Sequence, residues 1–183
     1  MARPSWIGQI LGGRYEILEE LGAGGMSAVY KANDPNLKRV VAIKLIHDHL
    51  SRDVSFVRRF QEEAAAVAQL RHPNIVQVYD FSNDGDTYYI VFEFVPGVTL
   101  QDQLKRLSGS QRRMELADVV KYSAGVADAL EYAHQRGLVH RDVKPANVMV
   151  NVYGEAILTD FGIVKIVGGT QHTATGAVMG TAR

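Results

Sequence analysis

The sequence predicts an α+β fold in two parts: an antiparallel sheet with a single helix over residues 1–95, then a mainly helical part over 96–183. Three patterns predict it. Short runs of strand-like alternation or two-sided apolar character, separated by turn signals, fill the first part. One stretch of helical period interrupts them at 54–70, and a longer one at 116–133 dominates the second part.

Residues 14–21 place Tyr15, Ile17, Leu18 and Leu21 in near alternation, a strand with one irregularity. A second strand, 40–45, is apolar on both faces except at Lys44. From residue 54, Val54, Val57, Phe60, Ala64, Val67 and Leu70 recur at threes and fours and mark one helix face. His72-Pro73-Asn74 ends this helix, because Pro73 disfavours helical backbone before it. Strands at 75–80 and 87–94 flank a turn at 82–86 rich in Asn, Asp and Gly. A short helix at 99–107 carries Asp102. Leu116, Val119, Val120, Val126, Ala127, Leu130 and Ala133 trace the long helix, which ends by Gly137. Strands at 147–150 and 156–159 close the predicted elements.

Composition narrows the function classes. Of 183 residues, 46% are hydrophobic and 22% charged, enough apolar material for a core. Lys+Arg and Asp+Glu number 20 each, so no whole-chain basic field draws the protein to nucleic acid or an anionic membrane. Cysteine is absent, which excludes disulfides and thiolate metal sites and fits a reducing cytoplasm. Residues 1–13 show no signal-peptide pattern. The most apolar stretch, 88–95, is broken by Glu93 and falls well short of the roughly 20 residues a membrane span needs. A cytoplasmic location is expected, with a membrane anchor beyond residue 183 left open.

The chemistry concentrates at His140-Arg141-Asp142-Val143-Lys144-Pro145-Ala146-Asn147, with Asp160-Phe161-Gly162 beginning thirteen residues after Asn147. One Asp beside a Lys and an Asn, and a second Asp on a Gly-ended turn, suit phosphoryl transfer from Mg-ATP. Asp142 would orient and deprotonate an attacking hydroxyl. Asn147 and Asp160 would hold Mg²⁺ or Mn²⁺, and Lys144 would neutralise charge on the moving group. The alternative is an exposed polar loop followed by an unrelated turn.

Upstream, Gly22, Gly24, Gly25 and Ser27 lie in a small-residue cluster where backbone N–H groups can approach phosphate oxygens without a Cβ in the way. Alone, such a cluster is a weak signal. Lys44 is costly to bury unpaired. Either it snorkels to water from an edge strand, or it binds the α/β-phosphates and is held by a helix carboxylate. The Gly-rich cluster ahead of it favours the second. Helical geometry nominates Glu63, which borders the apolar face, over Glu62, which points nearly opposite.

These motifs, in this order, resemble those of protein kinases, and more narrowly of the bacterial eukaryotic-like (Hanks-type) Ser/Thr protein kinases. Lys144-Pro145 is the Ser/Thr form of the catalytic loop. The resemblance runs from residue 14 to 183 and implies a bilobal kinase-like fold, with a regulatory helix in the first lobe. It implies an adenine pocket between Val29 and Ala42 above and Met149 below, with Leu21 at its edge. Phe92 would be the gatekeeper, Glu93 C=O and Val95 N–H would bond the adenine edge, and Asp102 would lie near the ribose. His140 would be structural, and Arg141 would receive a phosphate from the activation segment. Thr173 and Thr175, with Thr170 as a further candidate, match autophosphorylation positions, and Thr181 would bridge Asp142 and Lys144. Ser27 stands where the family's general pattern has a third Gly, a frequent variant in these bacterial kinases.

The expected function is transfer of the ATP γ-phosphate to Ser or Thr hydroxyls of proteins. Two alternatives accompany it: a nucleotide-binding regulatory fragment with little transfer activity, and a small-molecule phosphotransferase of the aminoglycoside type. Against the family's pattern the chain is expected to be truncated within the activation segment, leaving an incomplete second lobe that favours self-association.

Overall fold

Alternation of small and apolar side chains builds the first sheet strand by strand. The computed structural model describes residues 6–25, 27–51 and 53–161. Within these, β1 (Ile10–Leu11), β2 (Tyr15–Ala23), β3 (Ser27–Asp34) and β4 (Arg39–Ile46) run into the short helix α1 (Asp48–Ser51) and then α2 (Val54–Ala68). The hairpin β5 (Val78–Asp84) and β6 (Thr87–Glu93) completes a six-stranded sheet, ordered β1-β2-β3-β4-β6-β5 with every pairing antiparallel. Next come β7 (Gly97–Thr99), α3 (Leu100–Gly109), α4 (Leu116–His134), a 3-10 turn (Pro145–Asn147), β8 (Val148–Asn151) and β9 (Ala156–Leu158). The last three strands form a second antiparallel sheet, β7-β8-β9.

β4 explains why the first sheet needs cover on both sides. Val41, Ile43 and Leu45 pack on one face with Tyr15, Ile17, Tyr30 and Val91. Ile46, from the other face, joins the larger core with Phe56, Phe60, Val67 and Leu70. That core continues through Ile75 and Val78 to Ala129, Ala133, Val148 and Leu158. One apolar body therefore spans both parts of the chain.

Several predicted elements shift. β2 has two register irregularities, between Ile17 and Glu19 and between Glu20 and Gly22, rather than one. β3 escapes the sequence patterns because its buried positions include Ala28, Ala32 and Asp34, which give little apolar contrast. α2 ends at Ala68, with Gln69 as its C-cap, before Pro73 can act on it. Val54 is exposed, and Phe56 takes its place on the buried face. The 75–80 strand begins only at Val78; Ile75 instead makes a single parallel bridge to Leu158. The connection to β6 tightens to Gly85-Asp86, with Gly85 in the left-handed region at φ 56°, where the absence of a Cβ removes the strain.

Asp53 caps α2: its Oδ1 accepts from the backbone N–H of Ser55 at 2.9 Å and of Phe56 at 3.1 Å. Asp34 is wholly buried, a cost met by a bidentate Arg14, whose Nε and Nη2 donate at 3.0 and 2.7 Å. Arg14 holds the Asp34 carboxyl below its ordinary range, since these hydrogen bonds favour the charged form.

Phe60 is 2% exposed and lies between the rings of Phe56, at 5.9 Å, and Phe81, at 5.6 Å. Phe60→Ala is expected to destabilise the chain by about 3–5 kcal/mol, as for other buried aromatic truncations. Urea unfolding followed by circular dichroism measures the loss.

Candidate functional site

Two backbone hydrogen bonds across one seam set the site. Leu158 N–H donates to Asn74 O at 2.8 Å and Val76 N–H donates to Leu158 O at 3.0 Å. The Asn74 side-chain amide adds a 2.7 Å bond to Ala156 O. These bonds fix β9 against the segment between α2 and β5, and β9 delivers Thr159, Asp160 and Phe161 to the mouth of a cleft between the two sheets.

The cleft encloses about 460 Å³. Its walls include Leu21, Gly22, Val29 and Ala42 from the first sheet and Met149 from β8. Phe92, Glu93 and Val95 line the segment joining the two parts, and Lys44 and Asp160 occupy the polar end. Gly24, Gly25, Ser27, Asp142, Lys144 and Asn147 do not line it. Val76, Phe94, Val98, Thr99, Ala146 and Thr159 line it without having been singled out from the sequence. Phe94, Ala146 and Thr159 adjoin residues that were, whereas Val76, Val98 and Thr99 carry no local signal.

Lys44 Nζ meets Asp160 Oδ1 at 2.6 Å, joining positions 116 residues apart. The Lys44 side chain is 10% exposed and that of Asp160 is 41% exposed, so the ammonium is the more sheltered partner. The partner expected for Lys44 was Glu63. Glu63 belongs to α2, but its side chain lies outside the described residues, and the ion pair formed is with Asp160. Glu62 is a surface charge facing Arg58 at 3.7 Å. Asp160 adopts φ 55°, a left-handed conformation that Asp tolerates better than most residues. Arg141 does so as well, at φ 62°, so positive-φ residues bracket the site in sequence.

Asp142 sits in a cage of donors. Lys144 Nζ approaches its Oδ2 at 2.8 Å, and Asn147 Nδ2 donates to its backbone O at 2.8 Å and to its Oδ2 at 3.2 Å. Asn147 is buried at the start of β8, so it locks the loop. Its backbone O also accepts from Thr159 Oγ1 at 3.1 Å and from Thr159 N–H at 2.9 Å, tying the loop to β9.

His140 completes that tie. It is 1% exposed, its Nε2 lies 2.8 Å from Thr159 O, and Asp142 N–H donates to its Nδ1 at 3.3 Å. A carbonyl only accepts, so Nε2 carries the proton and Nδ1 the lone pair: the ring is a neutral tautomer. Burial agrees, pushing its pKa below the ordinary 6.5. Phe161 lies against it with ring centroids 4.7 Å apart.

A magnesium-nucleotide fits this chemistry. Among the described residues, Gly22 and Gly25 would meet nothing within 4 Å if given a Cβ, and Gly24 only Ser27 O at 3.8 Å. None of the three has a left-handed φ. The fold therefore does not require these glycines, whereas a ligand approaching the backbone would. Among the described residues no three His, Cys, Asp or Glu side chains cluster as a metal cage. Asp160 and Asn147 are the carboxylate and the amide that could hold a Mg²⁺ ion. Thr170, Thr173, Thr175 and Thr181 lie outside the described residues, as does Gly162. No helix among the described residues is long and apolar enough to cross a membrane.

A family model described as the protein kinase domain matches residues 15–183. A probable serine/threonine-protein kinase of Clostridium perfringens is 44% identical over 96% of this chain and 25% of its own length. Serine/threonine-protein kinase PrkC of Bacillus subtilis is 40% identical over 96% of this chain and 26% of its own. This chain thus spans about a quarter of the curated relatives it matches. A crystal structure of the Mycobacterium tuberculosis PknI kinase domain superposes with a TM-score of 0.75 at 36% identity, covering 90% of this chain and 64% of that one.

The His140 geometry predicts a pH dependence of stability. The unfolded imidazole takes up a proton as pH falls through about 6.5 while the folded one resists, so the unfolded state binds more protons there and stability falls. The contribution is complete above that pH and fades below it. Thermal melts at pH 7.5 and 5.5 are expected to show a smaller drop for His140→Gln, which has no proton to gain, than for the unsubstituted chain.

Proposed function

The chain belongs to the protein kinase domain family, and on that premise we propose that it binds Mg-ATP in the cleft and transfers the γ-phosphate to Ser or Thr hydroxyls of proteins. The observation that carries this reading is the meeting of Lys44 with Asp160 at one end of a mainly apolar cleft, beside a loop that holds Asp142 among Lys144 and Asn147. An apolar slot between Val29, Ala42 and Met149 suits a purine ring, and a sheltered cation suits its phosphates.

In this reading the adenine edge bonds Glu93 C=O and Val95 N–H, and Phe92 closes the back of the slot. Lys44 turns from Asp160 to the α/β-phosphates, with Glu63 as the helix carboxylate that holds it there. Asp160 and Asn147 would then hold Mg²⁺ or Mn²⁺, which supplies charge neutralisation between the phosphates when bound. Asp142 accepts the hydroxyl proton of the substrate as oxygen attacks phosphorus, and Lys144 faces the phosphoryl oxygens. His140, neutral and buried, takes no proton; it holds the Asp142 backbone in place. Thr173 or Thr175 is the expected autophosphorylation site, with Arg141 receiving the phosphate. Protein substrates and a cytoplasmic setting belong to the same proposal.

The α4 surface supports self-association: Leu116 is 76% exposed and Val120 61%, and Val119 is exposed as well. Light scattering at micromolar concentration is expected to give dimers or larger species; a sharply melting monomer would refute that part.

A γ-phosphate transfer assay tests the core proposal. Asp142→Asn is expected to lower transfer by roughly 10²–10⁴-fold with little change in melting, the range for loss of a general base. Lys44→Ala is expected to lose roughly 10²–10³-fold, as when one preorganised donor is removed from developing charge. Gly25→Val is expected to leave the melting temperature unchanged or raised, since open space receives the side chain, while weakening Mg-nucleotide binding measured by calorimetry. Mass spectrometry after incubation with Mg-ATP is expected to find phosphate on Thr173 or Thr175, and none on the Asp142→Asn chain.

A further inference from the structure

The β2–β3 hairpin carries the Gly-rich turn, and its tip is tied in two ways. Gly24 N–H donates to Ser27 O at 2.8 Å, closing the turn on itself. The second tie comes from outside the hairpin: His47 Nε2 lies 3.0 Å from Gly24 O. A carbonyl cannot donate, so Nε2 carries the proton. His47 follows Ile46, the last residue of β4, and Ile46 is paired with Ser27 at the other side of the same turn. Lys44 stands three residues earlier on that strand. The ring thus connects the turn to the strand bearing the phosphate-binding lysine of the proposed site.

Without this bond, two antiparallel strands and a turn whose glycines touch little would hold the tip. Among the described residues, a Cβ at Gly22 or Gly25 would have no neighbour within 4 Å, so these two glycines make no packing contact through that position. A side-chain hydrogen bond to a tip carbonyl is the kind of contact that fixes the height of the turn. It also orients the peptide after Gly24, whose N–H belongs to Gly25, with its carbonyl toward His47 and its N–H in the opposite direction.

We propose that His47 is a positioning residue for phosphate binding: it sets the Gly-rich turn at the height and orientation in which its backbone N–H groups meet a nucleotide's phosphates. The inference rests on the Mg-ATP reading of the cleft. It assigns His47 no contact with the nucleotide itself.

The test separates phosphate from adenine binding. Calorimetry on the 183-residue chain compares an imido analogue of ATP, with Mg²⁺, against adenosine. His47→Phe keeps a ring and removes the donor. It is expected to weaken the triphosphate by roughly threefold to tenfold, the worth of one net hydrogen bond, while leaving adenosine affinity and melting temperature unchanged. His47→Gln restores a side-chain N–H and is expected to return the triphosphate affinity to within about twofold of the original. Equal affinity of His47→Phe for the triphosphate overturns the inference and leaves the nucleotide reading standing. Equal weakening of both ligands with a lowered melting temperature shows a structural role instead. An unsubstituted chain that takes up neither ligand overturns the nucleotide reading and this inference together.

Discussion

The backbone bonds between residues 74–76 and 156–158 are the constraint on which the site depends. Lys44 comes from the first sheet and Asp160 from the end of the second. Nothing in their own strands brings them together. Leu158 N–H to Asn74 O and Val76 N–H to Leu158 O do so, by fixing β9 against the segment that also leads into β5. Asn74 adds its side chain to Ala156 O. Around these polar contacts the core runs without a break from Phe60 and Val67 to Leu158 and Ala133, which excludes water and keeps the bonds from exchanging with it. A shift of β9 along this seam would separate Lys44 from Asp160.

The loop that carries Asp142 is held by the same seam from the other side. Thr159 bonds Asn147 O through both its N–H and its hydroxyl, and its own carbonyl lies against His140 Nε2. His140 in turn accepts from Asp142 N–H. A displacement of β9 is therefore transmitted to Asp142 through one residue. A buried, neutral histidine thus ties the Asp142 backbone to Thr159. Its burial stabilises the tautomer that can both donate to Thr159 and accept from Asp142.

The left-handed conformations of Arg141 and Asp160 fit this picture. Such backbone costs on the order of 1–3 kcal/mol per residue and persists only where the surroundings over-determine it. Here the bonds of His140, Asn147 and Thr159 do so. The ion pair of Lys44 with Asp160 contributes as well, while remaining exposed enough on its carboxylate side to exchange partners. The glycines of the turn contrast with these positions. Their conformations are ordinary and their surroundings open, so their reason lies in what approaches them.

The sequence by itself determined most of the longer elements in their order and the motifs on which the family assignment rests. Alternation at 14–21, the two-sided apolar run around Lys44, and the period of α2 and α4 are local patterns, written in adjacent side chains. So are the motif around Asp142 and the glycine cluster, and the protein kinase family to which the chain belongs follows from them. What adjacency does not encode, only the tertiary structure decided. β3 was hidden because alanines and a buried Asp34 occupy its inward face, and a carboxylate becomes an inside residue only once Arg14 arrives from the turn between β1 and β2. Val54 yielded to Phe56 because where α2 begins, and which residue its first turn buries, depends on the Asp53 cap and the neighbouring rings. The Lys44–Asp160 bond followed the same rule: it spans 116 residues and depends on where β9 is stitched, which no local period on α2 encodes. Long-range pairing of charges is a property of the folded chain, set by backbone bonds that any residue type can make.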